Sequence, residues 1–279
     1  GISNFCISWS IGYTIGPFFA GFFSDFFIRT AFVLASLFYL IGLIIIIFFI
    51  PKLKGPHVYN EGTKEIESEN STQFNQANSI LKYKCKDYQI IERDANNPIL
   101  LRIILGMLIY AMLGKIALTY FSDYASRTEG LNLSGTLIGI ILFSFGLGRT
   151  VYFILSRFIR SSLKRINFSY LIITILLISM VFLDSVVFIF LVFVVFGFSS
   201  GLIYKSSLEL LMYYEKEAKG AKAGLFESAV GMGSAFSPLI AGLLAEVFLT
   251  FPFIIFSLIA FTVFVINLVY EMKIKKLKS

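Results

Sequence analysis

Residues 167–204 form an apolar stretch of thirty-eight residues whose single charge is Asp184. At ~1.5 Å of helical rise per residue, that is far too long for one helix across the ~30 Å of hydrocarbon in a bilayer. Asp184-Ser185 is the only polar break near its middle, so the stretch reads as two spans, 167–183 and 186–204, joined by a tight turn. Six further apolar runs accompany them, at about 2–23, 30–50, 99–121, 132–155, 223–245 and 250–270. Each is near the ~20 residues that a crossing helix needs. The pattern defines an all-α polytopic membrane protein whose first partner is the lipid bilayer.

Composition agrees. Only 15 % of residues are charged, against about 25 % in soluble domains. The formal net charge of +7 does not mark a nucleic-acid binder, because the basic residues sit in short loops and form no compact basic domain. They report topology instead. Lys and Arg number 7 in 51–98, 4 in 156–166, 4 in 205–222 and 4 in 271–279, whereas the alternate loops hold only Arg29 and Arg127. Basic loops stay in the cytoplasm. The chain is therefore read as a multi-pass protein of the cell membrane, with residue 1 starting at the cytoplasmic face and with loop 51–98 and the C-terminus cytoplasmic. Fusing 167–204 into one span would destroy the bias.

Segment 51–98 differs in kind. Seven basic and seven acidic residues with few large apolar ones predict a mobile cytoplasmic linker. Ile80, Leu81, Tyr83, Ile90 and Ile91 suit a short interfacial helix within it. The sole histidine, His57, lies there too and reads as a solvated loop residue. Cys6 and Cys85 have neither metal-ligand nor redox spacing. No metal or cofactor motif is present.

An internal repeat organises the spans. Gly12-Tyr13-Thr14-Ile15-Gly16-Pro17-Phe18-Phe19-Ala20-Gly21 recurs 221 positions later as Gly233-Ser234-Ala235-Phe236-Ser237-Pro238-Leu239-Ile240-Ala241-Gly242. Gly12 falls on Gly233, Pro17 on Pro238, Ala20 on Ala241 and Gly21 on Gly242, and the same offset carries run 30–50 onto 251–271. Small residues at this spacing let helix backbones approach closely in lipid. A helix opening the second copy near residue 99 puts the opening of the first about 221 residues earlier, with room for four helices before residue 1. The whole would be roughly twelve spans in two parallel six-helix repeats. On this reading 1–50 holds the last two helices of an N-terminal bundle, 51–98 links the bundles, and 99–279 is the C-terminal bundle with a short tail.

Gly12-x-x-x-Gly16-Pro17-x-x-Ala20-Gly21 is similar to the fifth-helix antiporter motif GxxxGPxxGG of the major facilitator superfamily, with Ala20 in place of one glycine. Its copy departs further, with Ser237 before the proline. The loop Ser156-Arg157-Phe158-Ile159-Arg160-Ser161-Ser162-Leu163-Lys164-Arg165 keeps the basic part of the superfamily's loop signature but not its glycine and acid. The chain thus resembles helices five to twelve of that superfamily, closest to the drug–proton antiporter branch. The resemblance implies a major facilitator-type bundle in which 99–121 and 186–204 line the central cavity. Tyr110, Ser199, Ser200 and Tyr204 are then the candidate cavity residues, each equally suited to packing between helices. Trp9 and Tyr13 read as packing or interface residues.

Charges inside spans need a partner or water. Arg149 and Glu227 lie at matched depths on the cytoplasmic side. They form a gate-side pair, one whose glutamate takes up a proton, or each snorkels to the interface. Lys115 also suits snorkelling, from the outer end of 99–121. Together these features point to secondary active transport of a small amphipathic solute by alternating access, an exporter coupled to protons. An importer of the same superfamily, or a non-transporting scaffold or receptor, remains the alternative. No HExxH, mid-membrane aspartate pair or nucleophile–histidine pairing supports an enzyme.

Overall fold

The computed structural model describes residues 2–26, 28–49, 98–159, 161–214 and 219–276. The linker expected over 51–98, with His57, Cys85 and the interfacial helix expected about Ile80 to Ile91, lies outside the described residues apart from Pro98, which opens the third helix.

Every described element is a helix, and eight follow in chain order. They are α1 (Ile2–Phe26) and α2 (Ile28–Phe49); α3, which runs Pro98–Lys115, passes through a π-turn at Ile116–Tyr120 and finishes as Phe121–Ser126; α4 (Gly135–Leu155) and α5 (Leu163–Ser179); α6 (Val186–Tyr214), α7 (Lys219–Ala245) and α8 (Phe251–Lys276). Six of the helices are long and apolar enough to cross a membrane. α5 is shorter at 17 residues, and α2 carries an apolar stretch at Phe32–Ile45. The polar break at Asp184-Ser185 falls in the α5–α6 turn, where Phe182 N–H donates to Ser179 O at 3.0 Å and Ile189 N–H to Ser185 O at 3.0 Å. Helix α6 does not stop at Tyr204 but continues to Tyr214. This moves Lys205 from its expected loop into the helix, where it is buried.

Residues 27–94 form one compact unit, in which α2 is the described element. Residues 1–26 and 95–279 form the other. Within this larger unit α1 lies along α4, α4 against α6, α3 against α7, and α5 against α8.

The α1–α4 seam is antiparallel and built from small or hydroxylated residues. A Cβ on Gly139 would stand 2.9 Å from Pro17 O, and one on Gly146 would stand 2.5 Å from Thr14 Cα. Ser10 and Thr150 share a hydrogen bond of 2.8 Å, and Arg157 donates to Asn4 Oδ1 at 2.9 Å near the far end. With lipid on the outside there is little hydrophobic gain in bringing apolar helices together, so close packing and hydroxyl bonds supply the attraction. The α4–α6 crossing is parallel and tighter still. A Cβ on Gly148 would meet Val194 O at 2.0 Å, and one on Gly197 would meet Phe145 O at 1.9 Å.

The two motif copies divide their work. Gly21 packs on Gly135 and Gly139 of α4, and Gly233 packs on Leu108 O of α3. Ser237 Oγ donates to Met112 O at 2.7 Å, and Ala241 is fully buried. Gly12, Gly16 and Gly242 face open space, and Ala20 is exposed. Pro17 and Pro238 sit half-buried within their helices. The close approach expected of all these glycines is therefore made at Gly21 and Gly233 alone, because a helix shows a neighbour only one face.

Candidate functional site

A cavity of about 360 Å³ opens among five helices of the larger unit. Helix α1 contributes Phe5, Trp9 and Tyr13, one aromatic per turn. From α3 come Tyr110, Gly114, Lys115 and Leu118; the last lies in the π-turn, a wide turn often found at functional positions. Arg149 projects from α4, Tyr204 from α6, and Glu227, Val230 and Ser234 from α7.

Arg149 is the centre of the polar network. Its guanidinium is buried, with Nη2 donating to Tyr110 Oη at 2.7 Å and to Ser200 Oγ at 2.6 Å. Ser200 Oγ in turn reaches Tyr110 Oη at 3.3 Å. Aromatic rings surround the charge, with centroids at 5.0 Å for Phe145, 5.3 Å for Trp9 and for Tyr13, and 6.0 Å for Tyr110. Ring faces carry negative potential and stabilise a desolvated cation. Gly201 lets the backbone of α6 come close to the arginine stem, since a Cβ there would lie 3.3 Å from Arg149 Cγ.

Glu227 anchors the other side. Its Oε1 accepts the Tyr204 hydroxyl at 2.6 Å. The Tyr204 ring lies edge-on to Trp9 and Phe226, both at 5.5 Å, and 6.1 Å from Tyr110. Trp9 and the two tyrosines thus bridge the carboxylate and the guanidinium.

Among the residues predicted to line a cavity, Tyr110 and Tyr204 stand on its wall. Ser200 sits behind Arg149 and fixes it through a hydrogen bond, while Ser199 is buried and is not on the wall. Arg149, Glu227 and Lys115 face the same space. In this structure Arg149 neither pairs with Glu227 nor snorkels: the ion pairs among the described residues are Arg127–Asp123 and Lys205–Glu209. Hydroxyls and rings stabilise the guanidinium in place of a carboxylate. Lys115, expected to reach for the interface, is half-buried on the cavity wall.

Trp9 and Tyr13, expected to be packing or interface residues, line the cavity with Phe5. The signal for them was their four-residue spacing, which stacks Phe5, Trp9 and Tyr13 on one face of α1.

The arrangement is that of a polytopic helical membrane protein with an internal, aromatic, partly charged cavity. Residues 1–213 match the family model of the Major Facilitator Superfamily. The chain belongs to this superfamily of membrane transporters. No curated protein matches it.

Proposed function

We propose that this protein moves a small amphipathic solute across the cell membrane by alternating access, as an exporter driven by protons. The observation that carries the reading is the cavity itself: five helices converge on one space walled by aromatic rings and three charged side chains, Lys115, Arg149 and Glu227. A largely apolar pocket with a few fixed polar groups suits a solute with both characters. The charge bias of the loops supports a cytoplasmic C-terminus. The 221-residue repeat supports α1 and α2 as the closing helices of one bundle and α3 to α8 as the other. The close α1–α4 seam then lies between bundles and is the surface on which they rock. Glu227, on the cavity wall, is the group assigned to carry the proton.

The test is reconstitution in proteoliposomes with an imposed pH gradient and a set of radiolabelled amphipathic solutes. Solute moving against the proton flow, and failing to accumulate when the gradient is collapsed, is the expected result. Flux in the same direction as the proton identifies an importer. No saturable flux of any solute by the whole protein of roughly twelve spans removes the transport reading and leaves a receptor or scaffold.

A further inference from the structure

The cavity wall holds two cations, Arg149 and Lys115, and one carboxylate, Glu227. Glu227 already accepts the Tyr204 hydroxyl. Arg149 Nη2 spends its hydrogens on Tyr110 and Ser200. Its Nε is buried with no acceptor, and among the described residues Nη1 makes no hydrogen bond and no carboxylate pairs with the guanidinium. Lys115 likewise has no ion-pair partner among the described residues. A buried cation with unused donors is costly until an acceptor completes it. Arg149 is therefore a half-satisfied site, and what it lacks is an anion.

The aromatic wall argues in the same direction. The rings of Trp9, Tyr13, Phe145 and Tyr110 stand around the protein's own guanidinium. They do not form an empty cage for a foreign cation, which Arg149 and Lys115 would repel. Phe5, Leu118 and Val230 supply apolar wall for the rest of a ligand.

We infer that this cavity takes an organic anion, an aryl or alkyl carboxylate whose headgroup accepts from Arg149 and whose apolar body lies against the aromatic wall. The inference rests on reading the cavity as the solute site. It narrows the amphipathic class to its anionic members and sets aside lipophilic cations.

The protein carries its own reporter. Trp9 is the single tryptophan of the chain, and its ring lies on the cavity wall 5.3 Å from the guanidinium carbon. Indole emission, excited at the red edge where phenyl groups do not absorb, is titrated with phenylacetate, octanoate, phenylacetamide, phenethylamine and inorganic phosphate. The carboxylates should change it saturably and bind at least about tenfold tighter than the amide, as a charge-assisted bond to a desolvated arginine implies. Arg149→Gln should abolish that preference, and Arg149→Lys should keep part of it. If Arg149→Gln does not fold, Lys115→Gln should still weaken the carboxylates by a few-fold through the lost charge.

Equal or tighter binding of the amide or amine overturns the inference, as does a preference that survives Arg149→Gln. So does the absence of carboxylate binding. Saturation by phosphate at phenylacetate's own concentration reassigns the site to inorganic anions and overturns the organic part. Carboxylate binding without flux in proteoliposomes keeps this inference and removes transport. Flux of a neutral or cationic solute without carboxylate binding does the reverse.

Discussion

Asp25, at the end of α1, caps the start of α4 through Thr136: Oδ2 accepts from Thr136 N at 2.7 Å and from Thr136 Oγ1 at 2.6 Å. Oδ1 takes Gly135 N at 2.8 Å, and Ser134 Oγ takes Leu137 N at 3.4 Å. Three N–H groups that a helix start leaves unbonded are thus satisfied, two of them from another helix. The carboxylate also sits at the positive end of the α4 dipole. Asp25→Ala should lower the stability of the α1–α4 seam, as the loss of a helix cap does. Asp25→Asn, which keeps an acceptor, should cost less. Thermal unfolding in detergent reads both. Identical melting of Asp25→Ala and the parent would mean the contact contributes nothing.

The glycines offer a sharper comparison. Gly148 and Gly197 each stand where a Cβ would come within 2.0 Å of a carbonyl oxygen of the facing helix. Gly12 and Gly242 have nothing within 4 Å. Gly148→Ala and Gly197→Ala should force α4 and α6 apart and cost at least about 1–3 kcal/mol, as overpacking does. Gly12→Ala and Gly242→Ala should be neutral or slightly stabilising, since alanine raises helix propensity by up to about 1 kcal/mol. Equal effects in the two pairs would show that the crossing is looser than described.

That contrast also marks how far the sequence could be read. Charge and apolar length suffice for eight helices and for the turn at Asp184-Ser185, because desolvating a polar backbone or a charge in lipid outweighs other local preferences. The motif located the small residues but not the face on which each helix meets its neighbour. For the same reason Tyr110 and Tyr204 were legible as cavity residues through the resemblance, while for Trp9 and Tyr13 the spacing gave a shared face but not what that face meets. Their role depends on α1 lying beside α4 and α6, a contact between segments more than a hundred residues apart. The Asp25 cap and the burial of Lys205 were hidden for a further reason. The cap depends on how the connection before α4 closes and the burial on α6 continuing past Tyr204, and loop composition specifies neither.

Lys205 makes the cost of such burial measurable. Its Nζ pairs with Glu209 Oε1 at 2.8 Å and donates to Ser156 O at 3.2 Å, while its side chain is only 3 % exposed. Ser161 Oγ donates to the other oxygen of Glu209, tying the α4–α5 connection to α6. Glu209→Gln leaves a buried ammonium without its counter-charge and should destabilise by about 3 kcal/mol or more. Replacing both, as Lys205→Met with Glu209→Gln, should be milder than Glu209→Gln alone. Denaturant or thermal unfolding of the three variants checks the order. A double variant worse than the single one would show that the pair is held for more than charge balance.

Arg149 and Glu227 pose the remaining question, since they share a cavity without touching. Tyr204 holds Glu227 by a 2.6 Å bond, and Tyr110 holds Arg149 by one of 2.7 Å. Each charge is therefore held by its own tyrosine, and among the described residues no ion pair joins the two. Glu227→Gln keeps an acceptor for the Tyr204 hydroxyl and does not strand Arg149, whose partners are elsewhere. Its stability should fall by less than about 1 kcal/mol, in line with the small couplings measured between polar groups in membrane helices. Tyr204→Phe should act on the same contact, so the two substitutions together should cost less than their sum. Arg149→Gln with Glu227→Gln should instead be close to additive in stability. Transport separates the roles further. If Glu227 carries the proton, Glu227→Gln should abolish flux driven by a pH gradient yet preserve solute exchange at equal pH. If Arg149 anchors the solute, Arg149→Gln should impair both. Strong non-additivity between Arg149 and Glu227 in stability would point to a direct pair in another transport state. Loss of exchange in Glu227→Gln would move Glu227 from proton carrier to solute contact.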